Sequence, residues 1–457
     1  MRTTTLLAMI SLLLACNSPE RSAKASTEAD LSSKPNILLI LTDDQGYHDV
    51  SYYGTEDIRT PYLDEMAAAG MRFDNFYANC PVCSPTRAAL LSGRYQEFVG
   101  VPGVIRTYDR DNWGHLDPEA KLISDELKEE GYHTALVGKW HLGLESPNTP
   151  PERGFDYFHG WLGDMMEDYT HKRRHGINYM RRDQDSIDPA GHATDVFTDW
   201  AVKYVEEQAE NDQAFFLYLA YNAPHFPVQP KEDWLAKVKE REPQLSDKRA
   251  ELVAFIEHLD DGIGQVVEAL KKSGQYENTI IVFSSDNGGL LGDAANNGPL
   301  RDGKQSVYEG GLKVPTFISW EGKIKAGTTT DYRALSMDLY PTLLDLIGGK
   351  MEHAIEGKSF AKLLLGEDMS DADRPLFFSR REGGRRYGGL TIQAVQLNGW
   401  KLLQNSPFAP QELYYLPEDP LEENNLIEEE TDKYQELNAL LMKHLQKAGQ
   451  VPWQRAE

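Results

Sequence analysis

The stretch NILLILTDD, residues 36–44, runs through five consecutive apolar residues and ends on two aspartates. An unbroken apolar run of this length is typical of a strand buried on both faces, in a parallel or mixed sheet that helices cover. Three similar runs follow, each with polar residues after it: HTALVGKWH from residue 133, AFFLYLAYNAPH from residue 214 and NTIIVFSSDNGG from residue 278. The chain is therefore predicted to have an α/β fold with a large mixed, mostly parallel sheet between helices.

Helices between these strands are marked by their end signals. An N-cap residue, an N1 proline and a C-terminal glycine occur together twice, from Thr60-Pro61 to Gly70 and from Ser84-Pro85 to Gly93. A third helix is predicted for residues 337–349, because its leucines share one face. The second helix places Cys83 at a helix N-terminus.

The N-terminal segment is predicted to be an export signal rather than part of the fold. Arg2 precedes an apolar run that is too short to span a bilayer, and small residues lead to Cys16. The ending LLAC resembles the lipobox of bacterial lipoproteins, which indicates an exported protein of the periplasm or outer membrane that is held by a lipid anchor only. A plain signal peptide with a chance cysteine is the alternative.

The pattern changes beyond about residue 365. Two β runs joined by a turn at Asn398-Gly399 precede a helix at residues 433–447, which predicts a small α+β subdomain with an antiparallel sheet. The predicted organisation is a signal peptide (1–16), a flexible tether (17–34), a main domain (35–365) and a C-terminal subdomain (366–457).

The chain carries 72 acidic and 47 basic residues, a formal charge of -25. This balance argues against general binding to nucleic acid or to anionic membranes. An anionic ligand would need a local basic pocket. Two segments reverse the overall sign, HKRRHGINYMRR at residues 171–182 and SRREGGRRYGG at residues 379–389.

Polar residues follow the buried runs, at what the sheet rule makes a single edge. Asp43, Asp44, Asp286 and Asn287 offer hard oxygen ligands, which favour Ca²⁺ or Mg²⁺ over zinc or copper. Each pair by itself is also an ordinary turn sequence. Their predicted meeting at one edge is what indicates a cation site.

A second set of residues would bring positive charge and proton transfer to this edge: Arg87, Lys139, His141, His225 and Lys304. Any one of them alone is more often structural or solvated. Lys139 and His141 stand two apart at a strand end and can point the same way. Lys304 lies among glycines that permit close backbone approach.

Cys80 and Cys83 form a C-x-x-C pair. In an exported protein a disulfide is the usual fate of such a pair. A zinc site is disfavoured, because the chain has neither a second cysteine pair nor a histidine pair at finger spacing. Cys83 also stands where a cation site and a helix N-terminus would attract a tetrahedral oxyanion, the position expected of a nucleophile.

The stretch CSPTRAALLSGR, residues 83–94, resembles the signature of the type I, formylglycine-dependent sulfatases of the alkaline-phosphatase-like superfamily. Other segments follow in that family's order, among them PNILLILTDDQGYHDVSYYG, GYHTALVGKWHLG, APHFP, SSDNGG and EGGLKVP. The resemblance covers nearly all of residues 35–427.

The resemblance implies a sulfatase whose Cys83 is oxidised to formylglycine by a maturation enzyme, with Cys80 left as a free thiol. It implies one Ca²⁺ held by Asp43, Asp44, Asp286, Asn287 and residue 83. Arg87 would hold the hydrated aldehyde, His141 and His225 would act as base and acid, and Lys139, Lys304 and His225 would bind the sulfate. A Cys80–Cys83 disulfide remains the alternative.

The implied substrate is a sulfated oligosaccharide from an anionic polysaccharide. The two basic segments, with Arg173, Arg174, Arg385 and the rings of Trp161, Tyr179 and Tyr387, are candidate sugar contacts. Solvated turns with incidental arginines are the plainer interpretation. Alternative functions are a phosphoester or phosphonate hydrolase of the same superfamily, or an inactive glycan-binding lipoprotein.

Overall fold

The computed structural model of the protein describes residues 34–108, 114–371, 373–383, 387 and 389–452. The predicted signal peptide, nearly all of the tether, and Arg385 and Arg386 lie outside these residues. No helix among the described residues has the length and apolarity needed to cross a bilayer.

The strands are as follows: β1 (Asn36–Thr42), β2 (Met71–Phe73), β3 (Phe76–Tyr77), β4 (His133–Lys139), β5 (Tyr157–Trp161), β6 (Met180–Arg182), β7 (Asp185–Ser186), β8 (Phe215–Ala220), β9 (Thr279–Ser285), β10 (Thr316–Ser319), β11 (Thr328–Thr330), β12 (Ala334–Leu335), β13 (Leu376–Arg381), β14 (Thr391–Leu397), β15 (Trp400–Gln404) and β16 (Glu412–Tyr415). The described part of the large sheet has the order β11-β2-β10-β9-β1-β8-β4-β5-β6-β7, and β12 pairs with β3.

The centre of the large sheet is parallel. β1 lies between β8 and β9, and β4 lies on the far side of β8, all in the same direction. Every residue of β1, β8 and β9 is buried, as the continuous apolar runs predict. Antiparallel strands β10 and β6 extend the sheet on either side. The predicted fold class is therefore confirmed.

The helices are as follows: α1 (Pro61–Ala69), α2 (Cys83–Ser92), α3 (Ile123–Glu129), α4 (Ala193–Gln208), α5 (Glu232–Arg241), α6 (Asp247–Lys272), α7 (Glu309–Leu312), α8 (Leu339–Leu346), α9 (Ala361–Leu364) and α10 (Thr431–Ala448). Short 3₁₀ turns occupy residues 51–53, 96–99, 150–153, 276–278, 291–293 and 336–338. The helices cover both faces of the sheet. On β8 and just after it, the hydroxyl of Tyr218 contacts α2, whereas that of Tyr221, three residues on, contacts α4.

Two helix predictions differ from the structure at their ends. The second helix begins at Cys83 rather than at Ser84, because the amide of Thr86 already bonds the carbonyl of Val82 at 3.5 Å. The helix predicted at residues 337–349 is a 3₁₀ turn followed by α8, and it ends before Gly348, where φ is +68°.

The C-terminal region forms an antiparallel sheet in the order β13-β14-β15-β16. Asn398 and Gly399 both adopt positive φ in the predicted turn. Leu437 and Leu441 of α10 pack on the β14–β15 face. These elements confirm the predicted α+β arrangement, while the domain boundary at residues 365 and 366 stays a prediction.

Lys401 of β15 links this small sheet to the rest of the fold. Its side chain is fully buried, 2.8 Å from the carboxylate of Glu309 and 2.7 Å from that of Glu422. Glu309 begins α7, and its amide in turn bonds Glu422 at 2.8 Å. One buried ammonium therefore balances two buried carboxylates from different parts of the chain.

Replacing Lys401 by methionine should leave Glu422 buried without its cation and Glu309 with only the longer, 3.7 Å pair to Lys313, and lower the free energy of unfolding by about 3–5 kcal/mol. Urea unfolding would measure this loss. The control is Lys433→Met, which removes the exposed pair with Glu436 and should leave stability almost unchanged. Equal stabilities of the two variants would contradict the assignment.

Candidate active site

The strand ends bring the predicted polar residues to one edge. Asp43 and Asp44 follow β1, and Asp286 and Asn287 follow β9; all four are buried. The amide of Asp286 bonds the carbonyl of Thr42 at 3.1 Å, which keeps the two strand ends level. Lys139 closes β4, His141 follows it, and His225 follows β8.

The carboxylates form a close cluster. Asp43, Asp44, Cys83 and His225 each offer a ligand atom, and these atoms lie within 4.8 Å of one another. Burial and the neighbouring carboxylate of Asp43 raise the pKa of Asp286 to about 7. Acidic groups held this close in a dry environment favour a bound cation.

Asn287 also fits a cation site. Its Nδ2 donates to Asp44 Oδ1 at 2.8 Å, so its Oδ1 faces away from that carboxylate. This oxygen is buried and has no hydrogen-bond partner among the described residues. An unpaired buried amide oxygen beside clustered carboxylates is a donor that suits Ca²⁺ or Mg²⁺.

Each carboxylate is paired with a cation of the chain. The Nζ atoms of Lys139 and Lys304 lie 2.5 and 2.7 Å from the carboxylates of Asp43 and Asp44, and Arg87 Nη2 lies 2.7 Å from Asp286 Oδ2. Although burial opposes it, the charge of Lys139 holds the pKa of Asp43 well below its usual range. Arg87 Nη2 also lies 3.6 Å from Asp43 Oδ2, and its predicted role of holding the hydrated aldehyde at position 83 stays a prediction.

Cys83 begins α2 and is 3% exposed. Its Sγ lies 3.4 Å from Asp43 Oδ1 and 3.7 Å from Lys304 Nζ. Burial, and then Asp43, raise the pKa of this thiol well above its ordinary value, so it is a poor nucleophile as it stands. Cys80 and Cys83 are separate buried thiols.

Thr86 supports the Cys83 loop and was not among the predicted site residues. Its hydroxyl accepts from the amide of Cys80 at 3.1 Å and donates to the carbonyl of Cys80 at 2.7 Å. The same residue thereby fixes the turn that leads into α2. A threonine one turn into a helix carries no separate sequence signal for this role.

His141 is oriented as a neutral base. Its Nε2 lies 2.8 Å from the carbonyl oxygen of Ile105, which can only accept, so Nε2 carries the proton. Burial, and then Lys139 and Arg87, hold the pKa of His141 well below its ordinary value. Its Nδ1 is buried and has no partner among the described residues, so it is available to accept a proton.

His225 lies at the mouth of the cluster, with 12% of its side chain exposed. Nδ1 lies 2.6 Å from the carbonyl oxygen of Phe226 and therefore donates to it. Nε2 lies 3.6 Å from Asp44 Oδ2 and faces the cluster. Burial and the charge of Lys304 lower the pKa of His225.

Tyr169 holds the turn that carries His225, and it was not among the predicted site residues. Its hydroxyl lies 2.8 Å from the carbonyl of Asn222 and 2.9 Å from that of His225. The ring is buried and stacks on His192. The partners are more than 50 residues away along the chain, so no local pattern could show the contact.

Two arginines of the first basic segment, residues 171–182, form ion pairs with nearby acids. Arg173 pairs with Asp188 at 2.7 Å, and Arg174 pairs with Asp164 and Glu167, each at 2.9 Å. These arginines are therefore not a free basic patch, and the plainer interpretation of surface pairs describes them better.

The predicted aromatic contact at Trp161 is wrong. Trp161 is fully buried and packs edge-on against Tyr179 at 5.5 Å, because β5 lies inside the covered sheet. In the second segment Arg380 is also buried and pairs with Glu382. Tyr387 lies under the guanidinium of Arg106 at 4.3 Å.

Comparison with protein families gives two matches. The family model described as Sulfatase matches residues 35–349, which is more than half of the chain. A second model, described as N-sulphoglucosamine sulphohydrolase, C-terminal, matches residues 302–450. Together these matches span both the strand-end cluster and the small C-terminal sheet.

Individual relatives agree with these models. The chain is 33% identical over 404 residues to N-acetylgalactosamine-6-sulfatase of Canis lupus familiaris, covering 83% of this chain and 73% of the relative. It is 28% identical to a sulfatase of Formosa agariphila, covering 89% and 87%. The crystal structure of Ps i-CgsB in complex with k-i-k-neocarrahexaose superposes with a TM-score of 0.84 at 32% identity, covering 93% of this chain and 95% of that one.

The carboxylate cluster predicts Ca²⁺-dependent stability. Adding Ca²⁺ to exhaustively chelated protein, at a hundredfold excess over its dissociation constant, should stabilise the fold by about 2.7 kcal/mol, because the ion binds only the folded chain. Asp44→Asn removes one charge and should weaken Ca²⁺ binding by calorimetry, whereas the exposed Asp345→Asn should not. A wild type that neither binds Ca²⁺ nor gains stability from it would contradict the site.

Proposed function

The chain belongs to the sulfatase family, and from that premise we propose that it hydrolyses sulfate monoesters of an oligosaccharide derived from an anionic polysaccharide. We propose that it does so with a formylglycine at position 83 and a bound Ca²⁺. The observation that carries this proposal is the place of Cys83. Its Sγ lies between the carboxylate of Asp43 and the ammonium of Lys304, at the N-terminus of α2. The pKa of the thiol is raised, so the unmodified residue would be a poor nucleophile.

Ca²⁺ and formylglycine would supply a metal charge and a nucleophile that the unmodified side chains do not provide. Asp43, Asp44, Asp286, Asn287 and residue 83 would hold Ca²⁺, which would neutralise sulfate oxygens and make a nearby hydroxyl more acidic. Hydrated formylglycine at position 83 would supply two hydroxyls. One would attack sulfur and give its proton to Asp286, and deprotonation of the other would allow sulfate to leave.

Lys139 and Lys304 are the proposed sulfate-binding groups. Both ammonium groups lie at the carboxylate cluster, and Lys304 is also 3.7 Å from the sulfur of Cys83. Two fixed cations beside the nucleophile position favour a bound oxyanion in this low-dielectric site. Arg87, which pairs with Asp286 at 2.7 Å, is the group proposed to hold the hydrated aldehyde.

The two histidines are suited to opposite proton transfers. His141 presents an unprotonated Nδ1, because its Nε2–H is held by the carbonyl of Ile105, and it is the proposed base for the second hydroxyl. His225 lies at the exposed side with Nε2 facing the cluster. A protonated Nε2 there could donate to the departing sugar oxygen, so His225 is the proposed acid.

The relatives support a carbohydrate substrate. One is named N-acetylgalactosamine-6-sulfatase, and a structure at 32% identity was solved with k-i-k-neocarrahexaose. The strand-end groups also favour an active enzyme over an inactive glycan-binding protein, since none of the proposed catalytic side chains is missing. A phosphoester hydrolase is less well supported, because a phosphate dianion favours more metal ions or a metal ion of higher charge. The small set of carboxylates in this site suits one Ca²⁺ and a sulfate monoanion.

Export, maturation and domain organisation follow from other features of the sequence. We infer an exported lipoprotein, anchored through Cys16, that depends on a formylglycine-generating maturation enzyme. We also infer a catalytic domain of residues 35–365 and a C-terminal subdomain of residues 366–457. The lipobox-like ending LLAC and the signature around Cys83 support these inferences.

Co-expression with a formylglycine-generating enzyme should convert Cys83 to the aldehyde and confer sulfatase activity. Mass spectrometry of the peptide spanning residues 80–87 would show the loss of the sulfur atom. Cys83→Ala should abolish turnover but retain saccharide binding, and the matched control Cys80→Ala should remain active. A fully active enzyme whose Cys83 is still a thiol would contradict the proposed mechanism.

Tyr169→Phe should reduce kcat about tenfold, because the turn that carries His225 loses the single hydroxyl donor that its two carbonyls share, while the ring packing is kept. KM should change little, since the lysines are untouched. Tyr204→Phe is the control; it removes a buried hydroxyl bonded to His133, at the opposite end of β4. Equal kinetics for the two variants would argue against a positioning role for Tyr169.

A further inference from the structure

Asn222 lies at the strand-end edge between groups already assigned to the site. The amide of Tyr221 still pairs with Leu41 of β1, and the carbonyl of Ala223 accepts from the amide of Asp43 at 3.1 Å. Asn222 stands between these two contacts. Its carbonyl accepts from the amide of His225 at 3.0 Å.

The tyrosines that flank the end of β8 contact helices on opposite faces of the sheet. Tyr218 reaches Arg87 of α2 at 3.4 Å, and Tyr221 reaches Thr198 of α4 on the opposite face at 2.8 Å. Asn222 comes next, two residues beyond the end of β8; its own carbonyl bonds the amide of His225 and the carbonyl after it bonds the amide of Asp43, so its backbone lies beside two of the reaction groups.

The amide of Asn222 is unpaired. The residue is 1% exposed, and neither Oδ1 nor Nδ2 has a hydrogen-bond partner among the described residues. Buried polar groups in proteins almost always have partners, and a side chain with both atoms unpaired at a reaction site is suited to a ligand. Lys139, the proposed sulfate-binding group on the neighbouring strand, is likewise fully buried.

We propose that Asn222 is a further substrate-binding residue, whose amide bridges the sulfate ester and an adjacent hydroxyl of the sugar. This rests on the proposed function. Nδ2 donates to a sulfate oxygen. Oδ1 needs a donor, which a sulfate monoanion does not have and a sugar hydroxyl does. Asn222 therefore distinguishes a sulfated saccharide from a small aryl sulfate that carries no hydroxyl.

The main test uses Asn222→Leu, which keeps the volume and removes both polar atoms. In the matured enzyme, kcat/KM for a defined sulfated saccharide should fall about tenfold more than kcat/KM for an aryl sulfate. In the inactive Cys83→Ala background, calorimetry should show a matching loss of saccharide affinity. If the Asn222→Leu variant does not fold, Asn222→Ser replaces it in both assays.

The matched control is Tyr221→Phe, which alters the neighbouring residue, whose hydroxyl contacts α4, and should not change the ratio of the two substrates. Unchanged kinetics in a folded Asn222→Leu variant, or equal losses on both substrates, would overturn the assignment of Asn222. A matured wild type that releases sulfate from no saccharide would instead overturn the proposed function, and the role of Asn222 with it.

Discussion

The structure depends on keeping three carboxylates charged in a place that excludes water. Asp43, Asp44 and Asp286 are all buried at one sheet edge, and each is paired with a separate cation of the chain. Without that compensation, close carboxylates in a low dielectric would take up protons. The raised pKa of Asp286, about 7, shows how near the cluster lies to that limit.

This pairing of charges requires β1, β8 and β4 to end at the same edge of the sheet. Leu41 of β1 pairs with Ala220 of β8, and Ala220 pairs with Gly138 of β4, so residues just beyond the three strands meet at one place. The helix that begins at Cys83 then brings its first residue to the same point. A strand longer or shorter by one residue would turn its side chain to the other face.

The charge distribution separates the site from the rest of the molecule. With a formal charge of -25, the protein as a whole repels polyanions, so affinity for an anionic saccharide must come from local groups. The arginines of the first basic segment do not supply them, because Arg173 and Arg174 are paired with acids. Lys139 and Lys304 are also paired with acids, but they are almost completely buried, and burial strengthens their interaction with an anion.

The sequence by itself determined which residues meet. Apolar runs that end in Asp43-Asp44 and in Asp286-Asn287 indicated strands with acids at their ends, since the pattern of a run can be read from neighbouring residues alone. It did not determine how those residues are used. The tautomer of His141 depends on the carbonyl of Ile105, the clamp on His225 depends on Tyr169, and the burial of Trp161 depends on the layers around β5. Hydrogen-bond partners and burial are set by contacts between distant parts of the chain, so only the tertiary structure decided them.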